Sequence, residues 1–417
     1  MLLGCCLAAD VVAVSWAWGS TPRATSTPVS PAPAASPAAS TAAGPTAAGP
    51  TAAVPTAAVP ATSGSGTSGS SPARAPTPAS VAQPTGGSPS RITLAFAGDV
   101  HFERGARGLL TQPEALTTAV RDTLARADFA MVNLETALGE GGAPLPGKDF
   151  TFRAPVGSLD TLASVGVDAV SMANNHAADF GDSVFAQTLA ARRGAPIPIV
   201  GVGRDRTEAF TPLRLDVHGV SVAVLASSQI RDVTSLEHAA GPSSPGIATN
   251  LDPGPLRRAV RAAAATSDVV VVMLHWGTQY TSCADDRQRE TARLLAADGA
   301  DVIVGGHAHR PQGSGWLGPA YVAYGLGNFV WYNNEGPAAE TGVLTVTVDA
   351  AAARAPTSGS AAGTGRARSV VVGDAWTPML IGADGVPRAP ASGATRDRLV
   401  AGWDAATRCA RLSERPS

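Results

Sequence analysis

The chain has 417 residues and a formal net charge of −2, from 31 basic and 33 acidic side chains. No basic block stands out, so a nucleic-acid partner gets no electrostatic support and none is expected. Residues 1–90 offer little to a core, which leaves about 300 residues, enough for one large α/β domain. Lys148 is the only Lys among the 31 basic residues; with so much Ala, Gly and Pro, this reads as coding bias rather than chemistry.

Within residues 1–19, the apolar stretch 2–18 (LLGCCLAADVVAVSWAW) is broken by Asp10, lacks a basic start and is short for a membrane helix. It reads as a truncated or damaged signal segment. Leu2-Leu3-Gly4-Cys5 looks like a lipobox but stands too early in the chain, so plain export is preferred to lipidation. Residues 20–90 are Ala, Pro, Ser, Thr and Gly, with TAAGP and TAAVP each repeated between Thr41 and Pro60. Such a segment cannot offset the entropy of ordering and is expected to be an extended, flexible spacer. An apolar start and a stalk predict an extracellular or cell-envelope domain, with membrane association through the N-terminus.

Beyond residue 90 the apolar pattern predicts strands over 91–97, 129–133, 169–172, 197–202, 220–227, 268–274, 302–304, 321–324 and 343–348. Helices are predicted over 113–127, 159–165, 185–193, 256–266 and 287–298. Residues 350–367 are expected to be a flexible insertion, and 368–417 to complete the domain with a strand or two and a helix over 397–411. The alternation predicts an α/β fold, with ligands outside the carboxyl ends of the strands.

Five of the seven His fall in polar motifs just after predicted strands: His101, His176, His275, His307 and His309. His218 and His238 stand in ordinary surface-like contexts. Asp99 and His101, two apart in an extended segment, point the same way and can reach one cation. Glu135 follows a buried strand and can bridge two metals. Asn175 offers an amide oxygen, and His176 a proton for a leaving group. His275 ends the most apolar strand. In Gly305-Gly306-His307-Ala308-His309 the glycines permit close backbone approach. This mix of carboxylate, amide and imidazole suits two divalent transition metals of the Mn, Fe or Zn kind rather than Ca. Such a pair activates water and stabilises an in-line displacement. Cys283 and Cys409 lie in the folded part, as one disulfide or as two free thiols.

The stretches GDVHFERG, FAMVNLETAL, VSMANNHAADFG, VVMLHWGTQY, ADVIVGGHAHRPQ and YGLGNFVW, in this order over about 93–345, resemble the CapA family of capsule or poly-γ-glutamate synthesis proteins. That family is itself similar to calcineurin-like metallophosphoesterases. The resemblance implies a calcineurin-like metallophosphatase fold over 91–349, a four-layer α-β-β-α sandwich with the metal site at the strand carboxyl ends. It implies Asp99, His101 and His309 on one metal, Asn175, His275 and His307 on the other, and Glu135 between them. His176 becomes the general acid, Asn174 and Arg104 lie near the substrate, and Asn328 supports the site or contacts substrate. Arg153 or Lys148 could meet an anionic substrate, although a solvated loop is the blander reading for Lys148. Core packing is the prior for Trp276 and Trp331. Gln279 departs from the family's usual Glu. Two functions stay open: a metal-dependent hydrolase of a phosphoester or polymer bond, or an accessory protein that guides an anionic polymer for the capsule synthesis machinery.

Overall fold

A strand buried on both faces needs cover on both sides, and Val269–His275 has it. Val269, Val271 and Met273 share a core with Val222, Val224, Val302 and Val304 and with the opposite sheet. Val270, Val272 and Leu274 instead meet Leu256 and Val260 of the helix Pro253–Ala264, and Ala292 and Leu295 of the helix Asp286–Ala297. The computed structural model describes residues 89–355 and 368–416. The expectations for 1–19, nearly all of 20–90, and 356–367 lie outside the described residues.

The first sheet has eight strands. From one edge they run Pro387–Arg388, Val371–Ile381, Glu340–Asp349, Arg91–Val100, Phe129–Leu134, Ala169–Ser171 and Ile199–Val200, with Asn328–Val330 beside the end of Arg91–Val100. The second has six: Ser314–Leu317, Ala320–Ala323, Val302–Gly306, Val269–His275, Val220–Ser228 and Leu213–Val217. Parallel pairs carry the middle of each sheet, Arg91–Val100 with Phe129–Leu134 and Val269–His275 with both its neighbours, while Glu340–Asp349 runs antiparallel to Arg91–Val100 on its other side. Leu116, Val120 and Leu124 of the helix Glu114–Leu124, with Phe185 of the helix Gly181–Ala191, join the first sheet's core. The layers therefore run helix, sheet, sheet, helix, the α/β sandwich expected of a calcineurin-like domain.

Several expectations shift for local reasons. The single strand over 197–202 is two, Ile199–Val200 in the first sheet and Val202–Gly203 paired with Gly246–Ile247, because Gly201 between them takes φ 88°. Leu213–Val217 was not foreseen; it is a half-exposed edge strand whose apolar signal is weak. Residues 350–354, expected within a flexible insertion, instead form a short helix, Ala350–Arg354, capped by Asp349 through the Ala352 N–H at 2.8 Å. His238 is buried rather than surface-like. Cys283 and Cys409 form a disulfide with a Cα–Cα distance of 5.6 Å, tying the loop after Val269–His275 to the closing helix Gly393–Ala410. Among the described residues no helix is long and apolar enough to cross a membrane.

Candidate metal centre

The carboxyl ends of the two sheets meet at Asp99. Its strand slips register against Phe129–Leu134 between Phe96 and Asp99, an irregularity that re-aims the side chain. A Cβ at Gly98 would stand 1.9 Å from the Gly327 carbonyl oxygen, and one at Gly306 would stand 2.3 Å from Asp99 Oδ1. Glycine at 98 lets the chain leading into Asn328–Val330 lie against Arg91–Val100, and glycine at 306 lets the second sheet approach the Asp99 carboxylate. The contact is sealed by the His307 N–H, which donates to Asp99 Oδ2 at 2.9 Å.

Two groups of buried side chains at this meeting point could hold a cation: Glu135 with His275 and His307, and Asp99 with Glu135 and His309. Glu135 belongs to both, and the ligand atoms of each group lie within 4.8 Å of one another. In the first group His275 Nε2 lies 2.7 Å from Asn175 Oδ1, 3.1 Å from His307 Nδ1 and 3.6 Å from Glu135 Oε1. In the second, His309 Nδ1 lies 3.4 Å from Asp99 Oδ2 and 2.8 Å from Asn328 Oδ1. With the proton on Nδ1, Asn328 orients the ring and leaves Nε2 its lone pair. Asn133, unforeseen as a site residue, donates from Nδ2 to Asp99 Oδ1 at 2.8 Å and to Glu135 Oε2 at 3.3 Å.

A cation fits this donor set. Glu135 Oε1, on the carboxylate common to both groups, is buried without a hydrogen-bond partner, a state that polar atoms rarely tolerate. Burial, and then the neighbouring histidines, hold the rings of His275 and His307 well below their usual range, so both are neutral and carry lone pairs at neutral pH. Burial first, then Asp99, raises the Glu135 carboxyl well above the carboxylate range. A bound cation would reverse that shift. His101 stands outside both groups. Its Nδ1 accepts the Glu103 N–H at 3.1 Å, so a neutral ring carries its proton on Nε2, and service as a metal ligand there would require giving up that bond.

His176 lies beside Glu135, with Nε2 3.6 Å from Oε1. Its Nδ1 is 2.6 Å from Asp179 Oδ2, and Phe152 stacks on the ring with centroids 4.3 Å apart. Burial lowers its pKa, against the pull of Asp179. Asp179 stands close behind His176 in the same motif, with no role assigned to it from sequence; the fold makes it the partner of the ring. The amide of Asn174 donates to Asn133 Oδ1 and the Leu134 carbonyl, and its oxygen accepts the His176 N–H at 3.0 Å. Those bonds take up its polar atoms, so it brackets the loop to the strand end rather than reaching outward. Arg104 is exposed, its guanidinium 4.4 Å from the Tyr332 ring centroid. The Arg153 side chain meets the Gly141 carbonyl and lies 4.4 Å from the Phe180 ring centroid. Trp276 is core, donating to the Tyr324 carbonyl at 2.7 Å. Trp331 is buried too, but it packs against the site, 4.0 Å from the His101 ring and 4.8 Å from the His309 ring.

Residues 93–333 match the family model described as bacterial capsule synthesis protein PGA_cap. The PGA biosynthesis protein CapA of Bacillus subtilis (strain 168) is 28% identical over 244 residues, 58% of this chain and 63% of that protein. The capsule biosynthesis protein CapA of Bacillus anthracis is 24% identical over 246 residues, covering 58% and 60%. The match thus spans less than two thirds of either relative. A crystal structure of a hypothetical protein from Thermus thermophilus aligns at a TM-score of 0.39 and 17% identity, over 61% of this chain and 93% of that one.

Proposed function

Because this chain belongs to the bacterial capsule synthesis protein PGA_cap family, we propose that its centre is a two-cation hydrolytic site acting on a phosphoester or backbone bond of an anionic capsule polymer such as poly-γ-glutamate. The observation that carries this reading is Glu135, shared by both ligand groups and buried with an unpartnered Oε1. Asn175, His275 and His307 would hold one cation and Asp99 and His309 the other, with Mn, Fe or Zn suited to the donors. When bound, such ions activate water and stabilise the oxygens of the displacement.

The chain's own part is positioning and proton transfer. Burial holds His176 neutral, and Asp179 stabilises the imidazolium when Nε2 takes a proton. A water oxygen bonds to phosphorus or carbonyl carbon, the bond to the leaving oxygen or nitrogen breaks, and Nε2 passes the proton from water to that leaving atom. The exposed Arg104 guanidinium is available to an anionic substrate.

The test is metal analysis of the purified chain, with turnover of bis-p-nitrophenyl phosphate in Mn. Bound transition metal is expected, with activity lost in His307→Ala and His176→Ala. A chain that binds no transition metal ends the hydrolase reading. The relatives' names speak of biosynthesis, which favours a second reading, an accessory protein that guides the polymer without cleaving it. Metal binding and polymer retention without turnover would select it. Export to the cell envelope is part of the same proposal, supported by the Cys283–Cys409 disulfide. A reporter fused after residue 90 that stays in the cytoplasm would sink it.

A further inference from the structure

Lys148 is the only Lys in the chain, and its side chain is 7% exposed. Its Nζ lies 2.5 Å from Asp179 Oδ1 and 3.2 Å from Asp232 Oδ2. It also donates to Thr234 Oγ1 at 3.0 Å and to the Asn175 carbonyl. Neither a solvated loop nor a substrate-facing ammonium is what the fold provides, since the protein takes all three of its protons. An ammonium so buried is tolerated only when paired, and here two carboxylates face it.

These partners lead to the metal centre. Asp179 is fully buried, and its Oδ2 accepts the Phe152 N–H at 2.7 Å and lies 2.6 Å from His176 Nδ1. One ammonium therefore fixes the carboxylate that grips His176 and the backbone that presents Asn175 to His275. On the other side Asp232 caps the helix Val233–Glu237 through the Ser235 N–H at 2.9 Å, which anchors the cluster. A compact ammonium suits a cluster of two carboxylates and a carbonyl better than a planar guanidinium does.

We propose that Lys148 is a positioning residue of this centre, setting the His176 ring through Asp179 and the Asn175 ligand through its backbone, without touching substrate. The kinetic part rests on the hydrolytic reading above; the geometric part does not.

The experiment uses the full chain labelled with ¹⁵N at histidine, as wild type, Lys148→Met and Lys148→Arg. Ring ¹⁵N shifts report the His176 tautomer, and metal content and turnover of bis-p-nitrophenyl phosphate in Mn are measured beside them. The expected wild-type signature is a proton held on Nδ1. Lys148→Met should disperse that signature and lower kcat about 10–100-fold with KM within about twofold, and Lys148→Arg should recover part of both. An unchanged His176 signature in Lys148→Met overturns the proposal, as does a raised KM at full kcat, which would mark a substrate contact. If Lys148→Met does not fold, Lys148→Gln is read by the same criteria. A wild type that turns over no diester defeats the hydrolytic reading alone, because the tautomer still decides the role of Lys148.

Discussion

His307 and His309 hold φ of 83° and 53°, a region that side chains other than glycine rarely adopt. Such strain costs about 1–3 kcal/mol per residue and persists where the surroundings over-determine it. Asn tolerates this backbone better than His. We therefore expect His307→Asn to lose metal affinity while the metal-free variant melts no lower than metal-free wild type; calorimetry with and without Mn checks both halves. The buried rings also set a pH dependence. His101, His176, His275 and His307 are all held below their ordinary range, chiefly by burial. Unfolding returns them to about 6.5, so below that pH the unfolded chain binds more protons and stability falls. Glu135 acts in the opposite sense: raised by burial and Asp99, it holds a proton that the unfolded chain releases above about 4.3, a contribution lost as pH rises through its folded value. Four imidazoles outweigh one carboxyl, so the metal-free melting temperature should drop between about pH 7 and pH 5. A melting temperature that rises over this interval would contradict the burial of these rings.

At the scale of elements, the site depends on how closely two strand ends approach. A Cβ at Gly305 would lie 2.1 Å from the Tyr324 carbonyl oxygen and 2.2 Å from Trp276 Nε1, both in the packed outer core. At Gly306 the obstacle is the Asp99 carboxylate itself. Gly305→Ala should therefore lower stability by about 1–3 kcal/mol, as overpacking does. Gly306→Ala should instead displace Asp99, weakening metal binding more than it lowers the melting temperature. Equal effects of the two substitutions on metal affinity, measured by titration with Mn, would refute this division. The strand and helix cores were legible from sequence because a run such as Val269–His275 is apolar throughout. Edge pieces such as Leu213–Val217 were not, since a half-exposed strand carries little hydrophobic signal.

For the whole molecule, the disulfide closes a separation of 126 residues and joins the loop carrying Tyr280, which packs 6.0 Å from the His309 ring, to the closing helix. Replacing both Cys283 and Cys409 by Ser should lower stability by about 2–4 kcal/mol, read from denaturant unfolding of the oxidised wild type and the variant. A loss below a few tenths would show that the closing helix is held by its packing, including the Trp376–Trp403 stack with centroids 4.0 Å apart. By itself the sequence determined the family, the alternating α/β order and the residue types at each strand end, because apolar periodicity and short motifs are local. Only the tertiary structure decided which atoms converge. It set Glu135 into both ligand groups and His101 outside them, and it turned Asn174 inward. It also brought Lys148 against Asp179 and Asp232, 31 and 84 residues further along the chain. Charge pairing across such distances leaves no periodic trace in the sequence, and the lone Lys looked like coding bias until the fold showed what it faces.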